Sequence, residues 1–368
     1  MNNKLADINK TLLMGPGPSS VSPSVYKALS TYTVGHLDKR FLNMMDETKE
    51  MLREMLKTKN NLTLPVSGTG TAAMESCFVN LIEKGDKILI VENGYFGSRM
   101  VNICQRLNAD MDVLSFKWGE PLVIDDLKKQ LSKNRYTIVA VVHAETSTGV
   151  RNPVEEIRQH LDEDTFLIID AVTSFGTIDL QVDNWGIDAV YSCSQKGLSC
   201  PPGASPVSFS TRAEEKILKR DTLVPNFYLD MKQIIQYLGG SQRVYHHTAP
   251  INSMYAIYQG LFDLKSEGLN KVIDRHLEVH NILVEGLAKV GIKMLVDKRY
   301  RLPSLNAAII PKGVDDIKIR EQLLLEYDIE IGAGLGPFAG KIWRIGLMGH
   351  SAKVSNVDRL LEALNELL

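Results

Sequence analysis

The chain has 368 residues, enough for one large domain and a smaller one. Its hydrophobic fraction of 44% and charged fraction of 23% are typical of a soluble globular protein. The formal net charge of −2 gives no reason to expect nucleic acid or an anionic membrane as a partner. The four cysteines form no C-x-x-C pair and are too few for a disulfide scaffold, so we expect buried, reduced thiols.

The N-terminal segment has no apolar run long enough for a signal peptide, and no other segment is long enough for a membrane span. We therefore expect a cytoplasmic protein. The stretch GPGPSS (15–20) is too rich in proline and glycine for a helix. It predicts an extended N-terminal arm over 1–20, followed by a helix at 22–30.

Short aliphatic or β-branched runs alternate with amphipathic stretches through the first two-thirds of the chain. Strands are predicted at 62–66, 87–91, 112–116, 137–143, 165–170, 189–194 and 205–210, and helices at 70–83, 95–107, 123–133 and 153–161. This alternation predicts an α/β fold with a mainly parallel seven-stranded sheet covered by helices, in a large domain over 21–250. Functional groups are then expected in the loops that follow the strands.

The pattern changes at about residue 251. One or two long helices are predicted over 251–290, and a last amphipathic helix over 354–368. Short strands are predicted near 292–295, 306–310 and 341–347. These elements predict a smaller α+β domain over 251–368.

A cluster of small and hydroxyl residues, Ser67-Gly68-Thr69-Gly70-Thr71, lies between a predicted strand and a predicted helix. Small residues let the backbone approach a ligand, and the free N–H groups of a helix start can bind an anion. The cluster is therefore a candidate phosphate site, although an ordinary Ser/Gly turn with a helix cap has the same sequence pattern.

Two charged residues follow predicted strands. Asp170 ends the apolar run 166–169, where a carboxylate can face a ligand or cap the next turn. Lys196 follows the predicted strand 189–194 and lies between small residues. Burial of such a lysine lowers its pKa and makes the amine available to attack an aldehyde.

Arg344 lies inside the apolar run 341–346. An arginine within a buried strand is costly without an anionic partner. A substrate carboxylate is one candidate partner, and an internal Asp or Glu is the other.

An anion site, a strand-end Asp, a buried Lys and a strand-embedded Arg together match the needs of pyridoxal 5′-phosphate (PLP) chemistry. The phosphate must be anchored, and a lysine must bind the aldehyde. A carboxylate must keep the pyridine nitrogen protonated, and a cation must orient the amino acid.

The chain resembles class V (fold-type I) PLP-dependent aminotransferases, in particular the alanine–glyoxylate/serine–pyruvate group. The segments that carry the resemblance are GPGPSSVSP (15–23), GHLD (35–38), SGTGTAAME (67–75), HAETSTGV (143–150), DAVTSFG (170–176), SQKGLSCPPG (194–203), YHHTAP (245–250), IEIGAGLGP (329–337) and WRIGLMG (343–349). They cover nearly the whole chain, in the order of the family.

The resemblance implies a role for each matching residue. Lys196 carries PLP as a Schiff base and is the catalytic acid and base, and Asp170 pairs with the pyridinium nitrogen. The other implied cofactor contacts are Thr69, Gly70, Thr71 and Gln195 at the phosphate, Thr146 at the phenolic oxygen and Phe96 stacked on the ring. Arg344 and Ser174 take the substrate carboxylate, and Gly17 of the arm lies near the substrate.

The resemblance also implies a homodimer, because Tyr245 and Thr248 match residues that reach the phosphate of the neighbouring subunit. Three positions depart from the best-known members, which have Trp at Phe96, His at Thr71 and Ser at Thr146. All three departures keep a group capable of the same role.

The predicted function is a ping-pong transamination from a small amino acid, L-alanine or L-serine, to a small 2-oxo acid, glyoxylate or pyruvate. The alternatives are (S)-ureidoglycine–glyoxylate or 2-aminoethylphosphonate–pyruvate transamination and, on the same fold, a cysteine desulfurase-like lyase with Cys200 as nucleophile. We predict no metal site, because the adjacent His246 and His247 should point to opposite faces of an extended stretch.

Overall fold

A computed structural model describes residues 4–8, 10–238 and 244–368. The α-helices of these residues are α1 (Pro23–Leu29), α2 (Lys39–Leu56), α3 (Gly70–Leu81), α4 (Tyr95–Arg106), α5 (Ile124–Leu131), α6 (Thr211–Lys219), α7 (Met231–Leu238), α8 (Ile251–Glu267), α9 (Leu269–Lys289), α10 (Asp316–Tyr327) and α11 (Val354–Leu367). The strands are β1 (Leu12–Leu13), β2 (Leu62–Gly68), β3 (Lys87–Glu92), β4 (Asp110–Ser115), β5 (Ile138–Val142), β6 (Ala144–Glu145), β7 (Val150–Arg151), β8 (Phe166–Asp170), β9 (Ala189–Tyr191), β10 (Gly203–Phe209), β11 (Leu305–Ile309), β12 (Ile329–Glu330), β13 (Gly332–Ala333) and β14 (Ile342–Gly346).

The central sheet has seven strands in the order β2-β10-β9-β8-β5-β3-β4. Only β10 runs antiparallel to its neighbours, and the other pairings are parallel. All seven predicted strands and the mainly parallel α/β fold are confirmed.

Both faces of this sheet are buried, and β5 shows why its sequence is apolar throughout. Val139 and Val141 belong to the core formed with α2 and α8, whereas Ile138, Ala140 and Val142 belong to the core formed with α3 and α4. Since successive side chains of a strand point to opposite faces, a strand between two helix layers needs an apolar residue at every position.

Two predicted elements are wrong in detail. Residues 153–161 form two 3₁₀ turns, Val154–Glu156 and Arg158–His160, in place of an α-helix. The side chain of Arg158 is bound by the Asp188 carboxylate and by two carbonyls, and the turns keep it there. The strand predicted near 292–295 is reduced to one isolated bridge between Met294 and Ala308.

The C-terminal part contains a three-stranded antiparallel sheet, β11-β14-β13, packed against α9, α10 and α11. The arm joins this part through β1, which pairs with β12. Helix α8 packs on α1 and α2 and contributes Ile257 and Leu261 to the core of the large sheet. The domain boundary at residue 250 stays a prediction. Within α9, Val272 packs in the core of the large sheet, whereas Val279 packs in the core of the C-terminal part.

Within the described residues, no helix combines the length and the apolar character that crossing a bilayer requires.

Candidate active site

The carboxyl ends of β2, β3, β5, β8 and β9 lie at one edge of the central sheet, because these strands are parallel. The chain leaves each of them in a loop or a helix start that carries a predicted site residue. These residues are Thr69 after β2, Phe96 after β3, Thr146 after β5, Asp170 at the end of β8 and Lys196 after β9. The topology therefore collects groups that are far apart in sequence, as is general for such sheets.

Lys196 is the only buried lysine in the part of the chain that the structure describes, at 8% exposure. Its Nζ donates a hydrogen bond to the carbonyl oxygen of Pro16, and Gly17 packs so closely that a Cβ there would overlap the lysine side chain. Burial lowers the pKa of Lys196, and the positive charge of Arg344 lowers it further. The amine is therefore easier to deprotonate than a surface lysine, and the arm covers it.

Asp170 is 2% exposed, and its two carboxylate oxygens differ. Oδ1 accepts the N–H of Val172 at 2.8 Å, which is the turn-capping role considered for this residue. Oδ2 has no partner of good hydrogen-bond geometry among the described residues, although the Tyr191 hydroxyl lies close enough to lower the pKa of the carboxyl. Burial is the larger effect and raises the pKa of Asp170 to about 7.

The candidate phosphate site is the start of α3. No side chain caps this helix, and Thr69 precedes it in an extended conformation. Gly68 has a φ of +145°, and a Cβ there would lie 2.7 Å from the Cβ of Ala72. Thr69 and Thr71 are exposed, and Thr71 Oγ1 accepts a hydrogen bond from Arg99 at 3.0 Å. Uncapped N–H groups, two hydroxyls and a guanidinium are groups that can bind an anion.

Arg344 lies on β14, where alternation places Trp343 and Ile345 in the core of the C-terminal part and turns the arginine to the other face. Its Nε donates to the Ala333 carbonyl at 2.6 Å and its Nη1 to the Thr146 carbonyl at 3.4 Å. Burial lowers the pKa of Arg344 to about 10. No acidic side chain of a described residue lies within 4.0 Å of it, so the internal ion pair is not what the structure contains.

Further buried polar atoms at this edge lack partners in the described part of the chain, among them Ser174 Oγ and Gln195 Oε1. An unpaired buried polar atom costs about 1–3 kcal/mol. Asp170 Oδ2 and Gln195 Oε1 can accept N–H or O–H groups of a ligand, and the Ser174 hydroxyl can donate to one. The residues present therefore fit PLP and an amino acid substrate.

Phe96 lies in the first turn of α4 and is partly buried. The guanidinium carbon of Arg99 lies 4.8 Å from the centroid of its ring. Thr146 is 2% exposed and lies in the loop beyond β5. The Thr146 hydroxyl and the Phe96 ring therefore both lie beyond the carboxyl ends of sheet strands.

Tyr245 and Thr248 stand apart from this cluster. Tyr245 is 62% exposed, and its hydroxyl lies 3.5 Å from Thr248 Oγ1. Among the described residues neither makes a hydrogen bond to Lys196, Asp170 or the start of α3. Their role at the site of a neighbouring subunit stays a prediction.

The prediction that His246 and His247 point to opposite faces is wrong. Their Nδ1 atoms lie 2.8 Å apart, because 245–250 is irregular backbone in which alternation does not apply. His247 Nε2 also lies 2.8 Å from Ser67 Oγ. The described residues contain no group of three or more His, Cys, Asp or Glu side chains arranged to bind a metal.

Two residues at the site were missed by the sequence analysis, Arg99 and Glu145. Arg99 looks like an ordinary surface residue of a helix. Glu145 had a usable signal, since a carboxylate directly after an apolar strand and among hydroxyl residues needs buried donors. It is completely buried in the structure.

The chain is similar to known aminotransferases along nearly its whole length. The family model of aminotransferase class-V matches residues 12–359. The chain is 37% identical to alanine–glyoxylate aminotransferase of Rattus norvegicus, over all of this chain and 89% of that protein. It is 34% identical to (S)-ureidoglycine–glyoxylate transaminase of Bacillus subtilis, over 97% of this chain and 90% of that protein.

A solved structure of alanine–glyoxylate aminotransferase from Nostoc superposes with a TM-score of 0.94, at 46% identity and with 100% of this chain and 99% of that chain covered. The fold is that of the fold-type I aminotransferases. The chain belongs to the class V aminotransferases, and it is a transaminase.

Proposed function

We propose that the enzyme uses PLP bound at Lys196 to move an amino group from a small amino acid, L-alanine or L-serine, to glyoxylate or pyruvate. The observation that carries this proposal is the buried Arg344, which has no acidic partner in the described chain and lies close enough to Lys196 to lower the pKa of that amine. A substrate carboxylate would neutralise this guanidinium beside the amine that does the chemistry.

Bound PLP would supply an electron sink for the negative charge that develops at the substrate Cα. Lys196 would hold the cofactor and, once released from it, take the proton from Cα. Its lowered pKa supports this role, because a general base works best when its pKa lies near the working pH. Asp170 would accept the pyridinium N–H at the oxygen that now has no good partner.

The phosphate would bind the start of α3 through the backbone N–H groups of Gly70 and Thr71 and the Thr69 hydroxyl, with Gln195 beside it. Thr146 would hold the phenolic oxygen, and Phe96 would cover the ring. Ser174 would donate its unpaired hydroxyl to the substrate carboxylate held by Arg344. Pro16 and Gly17 of the arm pack directly on Lys196, and this close cover favours substrates with short side chains.

The relationship to the Bacillus subtilis enzyme supports (S)-ureidoglycine as an alternative amino donor with the same acceptor. A lyase with Cys200 as nucleophile is not supported by the geometry. That thiol is completely buried, donates to the carbonyls of Leu198 and Ala256, and has its pKa raised by burial. Such a thiol lacks the exposure and the thiolate character that nucleophilic sulfur chemistry requires.

A half-reaction measurement tests the proposal. The PLP-loaded enzyme is mixed separately with L-alanine, L-serine, 2-aminoethylphosphonate and L-cysteine while the visible absorbance of the cofactor is followed. We expect bleaching by alanine or serine that glyoxylate or pyruvate reverses. Bleaching by the phosphonate alone would contradict the proposed substrates, and absence of a cofactor band would contradict the cofactor.

A lysine variant tests the assigned residue. Lys196→Ala should lose at least about a thousandfold in the half-reaction rate, because the positioned base is removed. The matched control is Lys219→Ala, which removes an exposed lysine paired with Glu215 and should leave the rate unchanged. A Lys196→Ala enzyme with more than a tenth of the wild-type rate would contradict the assignment.

A further inference from the structure

Glu145 is a completely buried carboxylate at the centre of the site, and the mechanism above does not use it. It lies at the end of β6, 49 residues along the chain from Phe96 in the first turn of α4. We propose that Glu145 is a positioning residue that holds the ring-covering Phe96, the cofactor contact Thr146 and the substrate-binding Arg344 in one arrangement. This inference rests on the proposed function.

The first contact is with helix α4, whose own N-cap residue, Gly94, has no side chain to cap it. Glu145 Oε2 instead accepts the N–H groups of Phe96 at 3.1 Å and Gly97 at 3.3 Å. A Cβ on Gly94 would overlap the Glu145 side chain, so the glycine is what allows this approach. The negative charge is placed at the positive end of a helix, which is favourable.

The second contact is with the loop that carries Thr146. Glu145 Oε1 accepts the N–H of Ser147 at 3.0 Å and its hydroxyl at 2.6 Å, and that hydroxyl oxygen in turn accepts the N–H of Tyr95 at 2.9 Å. Thr146 therefore lies between two residues that are both bonded to the first turn of α4. Its position and that of Phe96 are set by the same carboxylate.

The third link reaches Arg344 indirectly, through the backbone of Thr146. The guanidinium donates to the carbonyl oxygen of Thr146, and the charge of Glu145 raises the pKa of Arg344 against the larger lowering by burial. Glu145 is too far away for an ion pair but close enough to offset part of the cost of burying the cation. The guanidinium thus remains free to bind a substrate carboxylate.

The test is Glu145→Gln, which keeps the size of the side chain but removes its charge. The groups that now contact the Glu145 carboxylate are all hydrogen-bond donors, so the amide NH₂ of the glutamine would face donors. PLP affinity, the visible circular dichroism of bound PLP and the steady-state constants for L-alanine are measured. We expect PLP affinity to fall about tenfold, the dichroic band to shrink and KM for alanine to rise about tenfold, with kcat changed by less than about threefold.

Asp315→Asn is the matched control, because Asp315 also caps a helix with one carboxylate, at the N–H groups of Ile317 and Lys318. It lies at the start of α10, away from the site, and should lower only the melting temperature. A double variant adds a test of coupling, since Thr146→Val should cost less PLP affinity in the Glu145→Gln background than in the wild type.

PLP affinity and KM within twofold of wild type in Glu145→Gln would overturn the inference, as would equal effects in Asp315→Asn. Ser147→Ala decides the matter if Glu145→Gln fails to fold: it removes one link to α4 and should weaken PLP binding, and unchanged binding would again overturn the inference. A wild-type enzyme that binds no PLP would overturn the proposed function itself, whereas normal binding with an indifferent Glu145→Gln overturns this inference alone.

Discussion

Asp170 and Asp188 are buried carboxylates at opposite edges of the same sheet, and only Asp188 has cationic partners among the described residues. Asp188 precedes β9 and is paired with Arg158 and Arg212. Asp170 ends β8, is equally buried and has no cationic partner within ion-pair distance in the described chain. A buried carboxylate without a cationic partner is unfavourable, and bound PLP would provide that cation.

We predict that Asp170 destabilises the apoenzyme at neutral and higher pH. With the pKa of Asp170 raised from 3.8 to about 7, the unfolded state loses this proton at lower pH than the folded state. Stability is therefore lost as pH rises from about 4 to 7, by an amount on the order of 4 kcal/mol. Asp170→Asn removes this penalty, so the apo variant should melt at or above the wild-type temperature at pH 8, while its PLP affinity falls at least about tenfold.

Asp188→Asn is the control for this measurement, since it leaves two arginines without their carboxylate and should lower the melting temperature of the apoenzyme. Differential scanning calorimetry at pH 8, with and without PLP, compares the two variants. An apo Asp170→Asn protein that is markedly less stable than the wild type would show that this carboxylate serves structure more than the cofactor.

Helix α9 carries a buried histidine that links it to the loop before α11. His276 Nδ1 lies 2.6 Å from the Val272 carbonyl, and its Nε2 accepts the N–H of Gly349 at 3.0 Å. The ring must therefore be neutral, with its proton on Nδ1. Burial lowers the pKa of His276 to about 4, so the packing of this element depends on pH.

At the element scale we predict acid destabilisation through His276. Between pH 6.5 and about 4 the unfolded state binds a proton at this histidine and the folded state does not, so the free energy of unfolding falls as pH falls. The loss by pH 5 is about 2 kcal/mol. His276→Gln should therefore destabilise the protein by about 2 kcal/mol less at pH 5 than at pH 7.5, as measured by urea unfolding.

Equal destabilisation by His276→Gln at the two pH values would contradict this prediction. The comparison is made as a difference from the wild type at each pH, which cancels the titration of the carboxyl groups that both proteins share.

At the scale of the whole molecule, the exposed apolar side chains near Tyr245 support the predicted homodimer. Phe227 is 66% exposed, Tyr228 44% and Val244 56%. Contiguous exposed aromatic residues usually mark an interaction surface. They surround the segment that is predicted to serve the site of a neighbouring subunit.

Mixing two inactive variants tests the shared site. Subunits with Lys196→Ala and subunits with Tyr245→Ala plus Thr248→Ala are unfolded together and refolded. If 245–248 serves the neighbouring subunit, each mixed dimer has one intact site, and a statistical mixture should recover about a quarter of wild-type activity. If the segment serves its own subunit, no site is intact and no activity returns.

The order of elements was predictable from the sequence because it depends on local patterns. A strand buried on both faces is apolar throughout, as in 138–142, and an amphipathic helix repeats its apolar residues at helical spacing. The segment 153–161 shows the limit of this reasoning. Its spacing suits a helix, but the structure has two 3₁₀ turns that place Arg158 against the Asp188 carboxylate, which is distant along the chain.

What the sequence by itself determined is the α/β fold, and it predicted the strand ends as the place of the site, with Lys196, Asp170 and Arg344 as its charged groups. Each of these follows from a residue type placed against a local hydrophobic pattern, and the family resemblance implied the remaining contacts. Only the tertiary structure decided that Arg344 has no acidic partner within ion-pair distance in the described chain, that His246 and His247 touch, and that Glu145 joins Phe96 to Ser147. Those facts depend on distances between segments that are remote along the chain, and no local pattern contains them.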